Sequence, residues 1–276
     1  MKTDVILSTY NHPKWLQKVL WGFQHQTCRD FRLIVADDGS NEKTQEVITE
    51  SQRLMSVEIQ HVWHEDLGFR KCRILNKAIA SSDAEYLIFT DGDCIPRRDF
   101  VEVHRRHAKA GHFLSGGAVR LPMELSRMIS LEDISAGRAH DAKWLMRNGL
   151  SLDKKVRMLV CKSWSAKLLD RLPLTRPTWN GGNASAWRSD LIVVNGYDER
   201  MGHGGLDREL GERLVNYGLR PVSIRHQAVC IHLEHGRGYA AENILRANQE
   251  LRHRTRTEKI VRTPAGIATV PERKVA

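Results

Sequence analysis

Two aspartates separated by one glycine, Asp91-Gly92-Asp93, follow the apolar run Tyr86-Leu87-Ile88-Phe89 and its terminal Thr90. The run reads as a buried strand of a parallel sheet, so the carboxylates project from its carboxyl end, where open α/β sheets bind ligands. Gly92 permits the sharp turn that lets both side chains converge. Two hard oxygen ligands there suit Mg²⁺ or Mn²⁺ held with a diphosphate. An Asp-rich surface turn is the plainer explanation of the same residues. An EF-hand loop starting at Asp91 is excluded, because its sixth position, which requires glycine, is Pro96. Two other strand exits are polar: Ser8-Thr9-Tyr10-Asn11 and Asp37-Asp38-Gly39-Ser40. Parallel strands bring such exits to one edge, where Asp38 could accept a base N–H. Helix capping explains Asp37 and Asp38 equally well when they are taken alone. The first turn lacks GxGxxG, which weighs against a dinucleotide oxidoreductase.

These residues need a scaffold, and residues 4–93 supply its pattern. DVILSTY reads as a strand, and Pro13 to about Gln26 as a helix with Trp15, Leu16, Val19, Leu20 and Phe23 on one face. FRLIVADDGS, VEIQHVW and EYLIFT are further strands, with helices over 41–54 and 70–81 between them. Alternating strands and helices imply βαβ units and a parallel, Rossmann-like sheet. After residue 96 the pattern loosens. HRRHAKA reads as helix, FLSGGAVRL as a strand, 124–172 as a basic helical insert, and PVSIRHQAVCIHLEH as strand-like. The sequence divides into a single domain over 1–238, with halves 1–96 and 97–238, and a basic tail over 239–276 that starts helical and ends in a polar, Pro-containing segment expected to be mobile. Glycines 181, 182, 196, 202, 204 and 205 cluster where a ligand could approach the backbone closely.

At 276 residues with 41% hydrophobic and 28% charged content, the chain has the composition of a soluble globular domain. Its first strand starts too early for a signal peptide, and no long uncharged apolar run follows. Five scattered cysteines without a CxxC favour reduced thiols and a cytoplasmic setting. The net charge of +10 is uneven: residues 127–176 hold 11 Lys/Arg against 5 Asp/Glu, and residues 237–276 hold 9 against 4. Such a local excess fits an anionic partner or simply a solvated surface.

STYN, IVADDGS, DLGFRKCRILNKAI and LIFTDGD together resemble the nucleotide-sugar half of inverting family 2 glycosyltransferases of the GT-A fold. GGNASAWRSDLIVVNGYDERMGHGGLDREL is similar to the acceptor-side segment of galactosyltransferases and chondroitin-polymerase-like enzymes. The resemblance implies an α/β GT-A fold, in which a Rossmann-like nucleotide-binding sheet merges with an acceptor-binding region. It implies a UDP-sugar donor, with Thr9 and Asp38 near the nucleoside, Asp91 near the ribose and metal, and Gly182 and Asn183 beside the sugar nucleotide. The metal, Mn²⁺ or Mg²⁺, would be held by Asp91, Asp93 and His232; a nitrogen ligand favours Mn²⁺. His226 and His235 are neighbours that could be confused with His232.

An inverting transfer needs a base, and Asp207 at the start of a helix is the candidate. A helix N-terminal carboxylate favoured by the macrodipole is the alternative. Leu206 stands where the family usually has an acidic residue, so recognition of the donor sugar or acceptor is expected to differ. Glu209 is a second acidic candidate, although an i,i+4 pair with Arg213 explains it as well. Leu75 replaces the usual Arg before Asn76, leaving Lys71 and Arg73 as cations for the donor phosphates. Trp179 could stack on a sugar or fill the core.

The implied reaction moves a hexose or N-acetylhexosamine to a saccharide or lipid-linked saccharide, in surface polysaccharide or lipopolysaccharide assembly. Within the insert, Val156, Leu159, Val160, Trp164 and Leu168 recur at helical spacing among Lys154, Lys155, Arg157, Lys162 and Lys167. That pattern fits a helix resting on an anionic membrane or on its own domain. A sugar-nucleotidyltransferase would want a Gly- and Arg-rich first loop, which TYNHPKWL lacks. A basic nucleic-acid-binding protein would leave the carboxylates idle, and no nucleic-acid motif is present.

Overall fold

The structure is a computed structural model that describes residues 1–152, 154–161, 163–171, 175–236 and 241–269. Its first half alternates β1 (Thr3–Thr9), α1 (Pro13–Gln24), β2 (Arg32–Asp37), α2 (Glu42–Leu54), β3 (Ile59–Trp63), α3 (Lys71–Ser81) and β4 (Tyr86–Asp91). These are the elements the hydrophobic periodicity predicts, with ends shifted by a few residues. β3, β2, β1 and β4 lie side by side and parallel. The register sets Thr9 beside Asp37 and Ser8 beside Asp91, so the three polar exits do share one edge.

The second half comprises β5 (Cys94–Pro96), α4 (Phe100–His107), β6 (His112–Ser115) and β7 (Gly117–Arg120). Short helices follow: α5 (Met123–Met128), α6 (Leu131–Ser135), α7 (Ala142–Arg147), α8 (Arg157–Val160) and α9 (Ser163–Arg171). β8 (Asn183–Trp187), α10 (Arg188–Val193), α11 (Leu206–Asn216), β9 (Arg220–Ser223), β10 (Val229–His232) and α12 (Glu242–Thr257) complete it. β8 enters the large sheet antiparallel to β4, pairing Asn183 with Thr90, and β6 and β9 extend the sheet beyond it. β5, β10 and β7 form a second small sheet, in which His232 lies opposite Cys94. These two pairings bring residues 181–183 and 232 to the Asp91–Asp93 turn.

The expected strand FLSGGAVRL is two strands in different sheets, because the chain turns at Gly116 to reach β10. PVSIRHQAVCIHLEH likewise divides into β9 and β10, joined by a turn in which Ala228 N–H donates to Ile224 O. The insert is several short helices, interrupted at extended Cys161; Lys162 lies outside the described residues. The tail starts helical as expected, as α12, and the chain beyond it packs as far as it is described; residues 270–276 lie outside the described residues. Thr255 of α12 is buried, Thr263 donates to Asp198 at 2.8 Å, and Ile267 packs on the core between α3 and α10. One core fills the α1/α4 face of the sheet, and a second fills the α3/α11 face.

Candidate active site

Asp207 is the second residue of α11, directly after Gly204 and Gly205, which both adopt positive φ. Its carboxyl lies against the Gly181-Gly182 turn: a Cβ at Gly181 would fall 2.3 Å from Asp207 Oδ1. A Cβ at Gly182 would stand 3.0 Å from Asp91 Oδ2. The double glycine therefore leaves space between two carboxylates that other residues would fill. Asp207 Oδ1 is buried and finds no hydrogen-bond partner among the described residues. Burial pushes the pKa of Asp207 up to about 6, against the neighbouring Lys71 ammonium; Asp91 adds to the rise, while the Gly181 N–H and the Tyr197 hydroxyl oppose it.

Lys71, the first residue of α3, donates to Asp91 Oδ1 at 2.7 Å, and Ser8 Oγ donates to the same oxygen at 2.6 Å. Burial works against the lysine's charge, but Asp91, Asp207 and Asp93 outweigh it and raise its pKa. Lys71, Asp91 and Asp207 thus form one charge cluster beneath the glycine turn.

Asp93 faces the other way. His235 Nε2 lies 2.9 Å and His232 Nε2 3.6 Å from Asp93 Oδ2. Asp93, Cys94 and His232 offer ligand atoms all within 4.8 Å of one another, and His232 Nδ1 is buried without a partner among the described residues. Burial opposes ionisation of Asp93, yet the two imidazoles hold its pKa below the usual range. The Cys94 thiol is pushed well above its ordinary value, first by its hydrogen bond with Cys230 and then by burial, and stays protonated. A carboxylate with an imidazole suits a borderline divalent cation. Of the three expected metal ligands, Asp93 and His232 come together, whereas Asp91 has one oxygen committed to Lys71 and Ser8.

Asp38 is buried at the same edge, with His64 Nε2 2.8 Å from Oδ1 and the Arg70 N–H donating to Oδ2 at 3.0 Å. Thr9 is buried next to it; its carbonyl accepts from the Asp38 N–H, and its Oγ1 has no partner among the described residues. Arg73 is half-buried, its Nε has no partner among the described residues, and only Lys71 of the two expected cations joins the cluster.

Three expected ligand contacts are structural instead. Asn183 is wholly buried: its Nδ2 donates to Gly117 O and Ala228 O, and its Oδ1 lies 3.0 Å from His104 Nε2. It joins the two sheets because β8 must bridge them. Trp179 is buried against Phe89 and Phe113 with its indole N–H donating to the Tyr197 hydroxyl, so it cannot stack on a sugar. Glu209, only 2% exposed, accepts from Arg213 Nε at 2.8 Å and Nη2 at 2.9 Å, and from Thr255 Oγ1 at 3.0 Å. Arg213 also donates to Val194 O and Gly196 O. The i,i+4 pair is the correct reading of Glu209. Sequence reasoning missed Tyr197, which faces Asp207 and is fixed through its backbone by Asn76 at 2.8 Å. NGYDE lay within the quoted motif, but nothing in its spacing points to the base.

Residues 4–149, more than half of the chain, match the model for glycosyl transferase family 2. The chain belongs to that family. As a family 2 glycosyltransferase it is 26% identical over 224 residues to a chondroitin synthase of Escherichia coli, covering 78% of this chain and 32% of the relative. It is 29% identical over 251 residues to a validoxylamine A glucosyltransferase of Streptomyces hygroscopicus, covering 86% and 57%. It thus spans about a third to somewhat over half of these relatives. A mannosyltransferase from Pyrobaculum calidifontis, solved with GDP-Man and Mn²⁺, superposes with a TM-score of 0.60 at 18% identity, over 95% of this chain and 66% of that one. Staphylococcus aureus TarS with UDP-GlcNAc gives 0.62 at 14% identity, over 97% and 69%. Likeness at these identities establishes the GT-A fold.

Proposed function

We propose that this glycosyltransferase moves a hexose or N-acetylhexosamine from a UDP-sugar to a saccharide hydroxyl, inverting the anomeric carbon. The observation that carries the reading is Asp207, a buried carboxylate with an unpartnered oxygen, set across the Gly181-Gly182 turn from Asp91. The acceptor oxygen forms a bond to the anomeric carbon as the carbon–oxygen bond to UDP breaks. UDP leaves with the electron pair, and the hydroxyl proton passes to Asp207. A pKa of about 6 lets Asp207 be ionised at neutral pH yet accept a proton readily. Lys71 holds Asp91 in place and sets a positive charge beside the region where the diphosphate gains charge. Asp93 and His232 would hold Mn²⁺ or Mg²⁺, which would stabilise the leaving diphosphate as a Lewis acid. Thr9 and Asp38 line the nucleoside end of the same edge.

The two solved relatives carry GDP-Man and UDP-GlcNAc, so a thermal-shift panel of UDP- and GDP-sugars is the direct test. UDP should raise the melting temperature only with Mn²⁺ or Mg²⁺, and Asp93→Ala should abolish the rise. Equal stabilisation by UDP in EDTA would remove the metal, and a response to GDP alone would replace the donor.

A cytoplasmic enzyme acting on a lipid-linked saccharide would gain from a membrane-facing surface. Among the described residues no helix is long and apolar enough to cross a bilayer. On α9, Trp164 is 70% exposed, with Lys167, Leu168 and Arg171 also exposed at i+3, i+4 and i+7, whereas Val156 and Leu159 of the expected stripe pack inward on the core. An aromatic and aliphatic face rimmed by cations suits an anionic leaflet. Co-sedimentation with anionic but not neutral vesicles, lost on Trp164→Ala with Lys167→Glu, would support docking. Protein left in the supernatant at low salt would exclude it.

A further inference from the structure

Asn248 of α12 lies outside every motif discussed above, yet its side chain is buried against the loop that delivers Asp207. Its Oδ1 accepts from the Gly202 N–H at 3.2 Å. Its Nδ2 donates to Gly204 O at 2.7 Å and lies 3.2 Å from both Gly202 O and His203 O. An amide nitrogen has two protons for these three carbonyls, so at least one is shared and Gly204 holds the shortest contact. The loop has little to hold itself: three of residues 202–205 are glycines, the residue type with most conformational freedom to lose, and two of them take positive φ.

The rest of α12 locks onto α11 along the same face. Arg252 Nη2 donates to Glu212 at 2.6 Å, and Thr255 Oγ1 donates to the buried Glu209. Asn248, Arg252 and Thr255 recur at i, i+4 and i+7, so one helical stripe grips both the loop and the helix that follows it. Ile244, one turn before Asn248, sits where a Cβ on Gly202 would be 2.7 Å away. The His203 ring of the loop also meets Phe69, with centroids 5.5 Å apart.

We propose that Asn248 is a positioning residue for the transfer: it latches the Gly202–Gly205 loop so that Asp207 meets the acceptor hydroxyl in one geometry. The inference rests on Asp207 being the base. Asn248 touches neither Asp207 nor the nucleotide edge, so its loss should show in the chemical step and not in donor binding. Small misplacement of a reacting group costs rate steeply, so kcat should fall about tenfold to a hundredfold in Asn248→Ala.

The test measures kcat, donor KM and the UDP–Mn²⁺ thermal shift for Asn248→Ala, Asn248→Asp, Asp207→Asn and the double variant Asn248→Ala with Asp207→Asn. Asn248→Asp keeps shape and acceptor but sets a buried carboxyl against carbonyl oxygens, so its fold is checked by urea unfolding, and at a temperature where it is folded it should share the kcat loss. Both Asn248 variants should keep donor KM and thermal shift within about twofold. The double variant should turn over no more slowly than Asp207→Asn alone, because the latch acts only through that carboxylate. If Asn248→Asp keeps full kcat while Asp207→Asn is inactive, the latch falls and the base reading stands. Losses that multiply in the double variant also overturn the latch. Undiminished turnover of Asp207→Asn overturns the base and the latch together.

Discussion

Lowering the pH from about 7 to about 5 should slow the enzyme roughly tenfold, and the reason lies in the surroundings of Asp207. A carboxyl with a pKa of about 6 is nine-tenths ionised at about pH 7 and one-tenth ionised at about pH 5. An ordinary aspartate with a pKa of 3.8 would remain more than about nine-tenths ionised over the same interval and leave the rate flat. On the proposal that Asp207 is the base, it works only when deprotonated, and the rate falls as pH falls. The measurement is kcat/KM for the donor, which reports the free enzyme, at one fixed Mn²⁺ concentration. Lys71→Met supplies the control. The ammonium lowers the pKa of Asp207, so removing it should move the midpoint upward, whatever happens to the height of the profile. A flat wild-type profile, or a midpoint unmoved in Lys71→Met, would refute the assignment of that titration to Asp207.

Glu209→Ala leaves the Arg213 guanidinium buried beside two carbonyls without its carboxylate, and should cost about 3–5 kcal/mol by urea unfolding. Trp179→Ala should cost a similar ~3–5 kcal/mol, while the folded enzyme keeps its KM for donor and acceptor, since the ring lies in the core. Burial holds His104 and His140 down at about 3, so the unfolded chain takes up their protons first. Their contribution is complete above an ordinary histidine pKa of 6.5 and is lost as pH falls from there towards 3. Melting temperatures across that range should show a smaller acid loss in His104→Gln.

The βαβ half was legible because every strand there is flanked by a helix of opposite periodicity, and because Thr9, Asp37 and Asp91 close parallel neighbours. The start of α11 just before Asp207 was legible for a local reason, two glycines before an amphipathic run. What the sequence left open depends on which face a side chain meets after folding. Trp179, Asn183 and Glu209 carry the residue types of a binding site, yet each completes a buried contact with Tyr197, His104 or Arg213. No spacing encodes those partners. Lys71 was read as a phosphate cation because Leu75 stands where the family usually has Arg, but its pairing with Asp91 depends on the crossover from α3 to β4. The division of FLSGGAVRL between two sheets follows from β7 pairing with β10 while β6 pairs with β8, a tertiary event without a local signature. Likewise, the helical start of the tail was legible, but the hydrogen bonds by which Asn248 and Thr255 dock that helix were not.

The most direct measurement is the turnover of Asp207→Asn at saturating donor, acceptor and Mn²⁺, with UDP affinity determined on the same preparation. If Asp207 takes the acceptor proton, kcat should fall at least about a hundredfold, the low end for general acid–base catalysis, while UDP affinity stays within about twofold. Turnover near that of the wild type, with UDP still bound, would contradict the assignment.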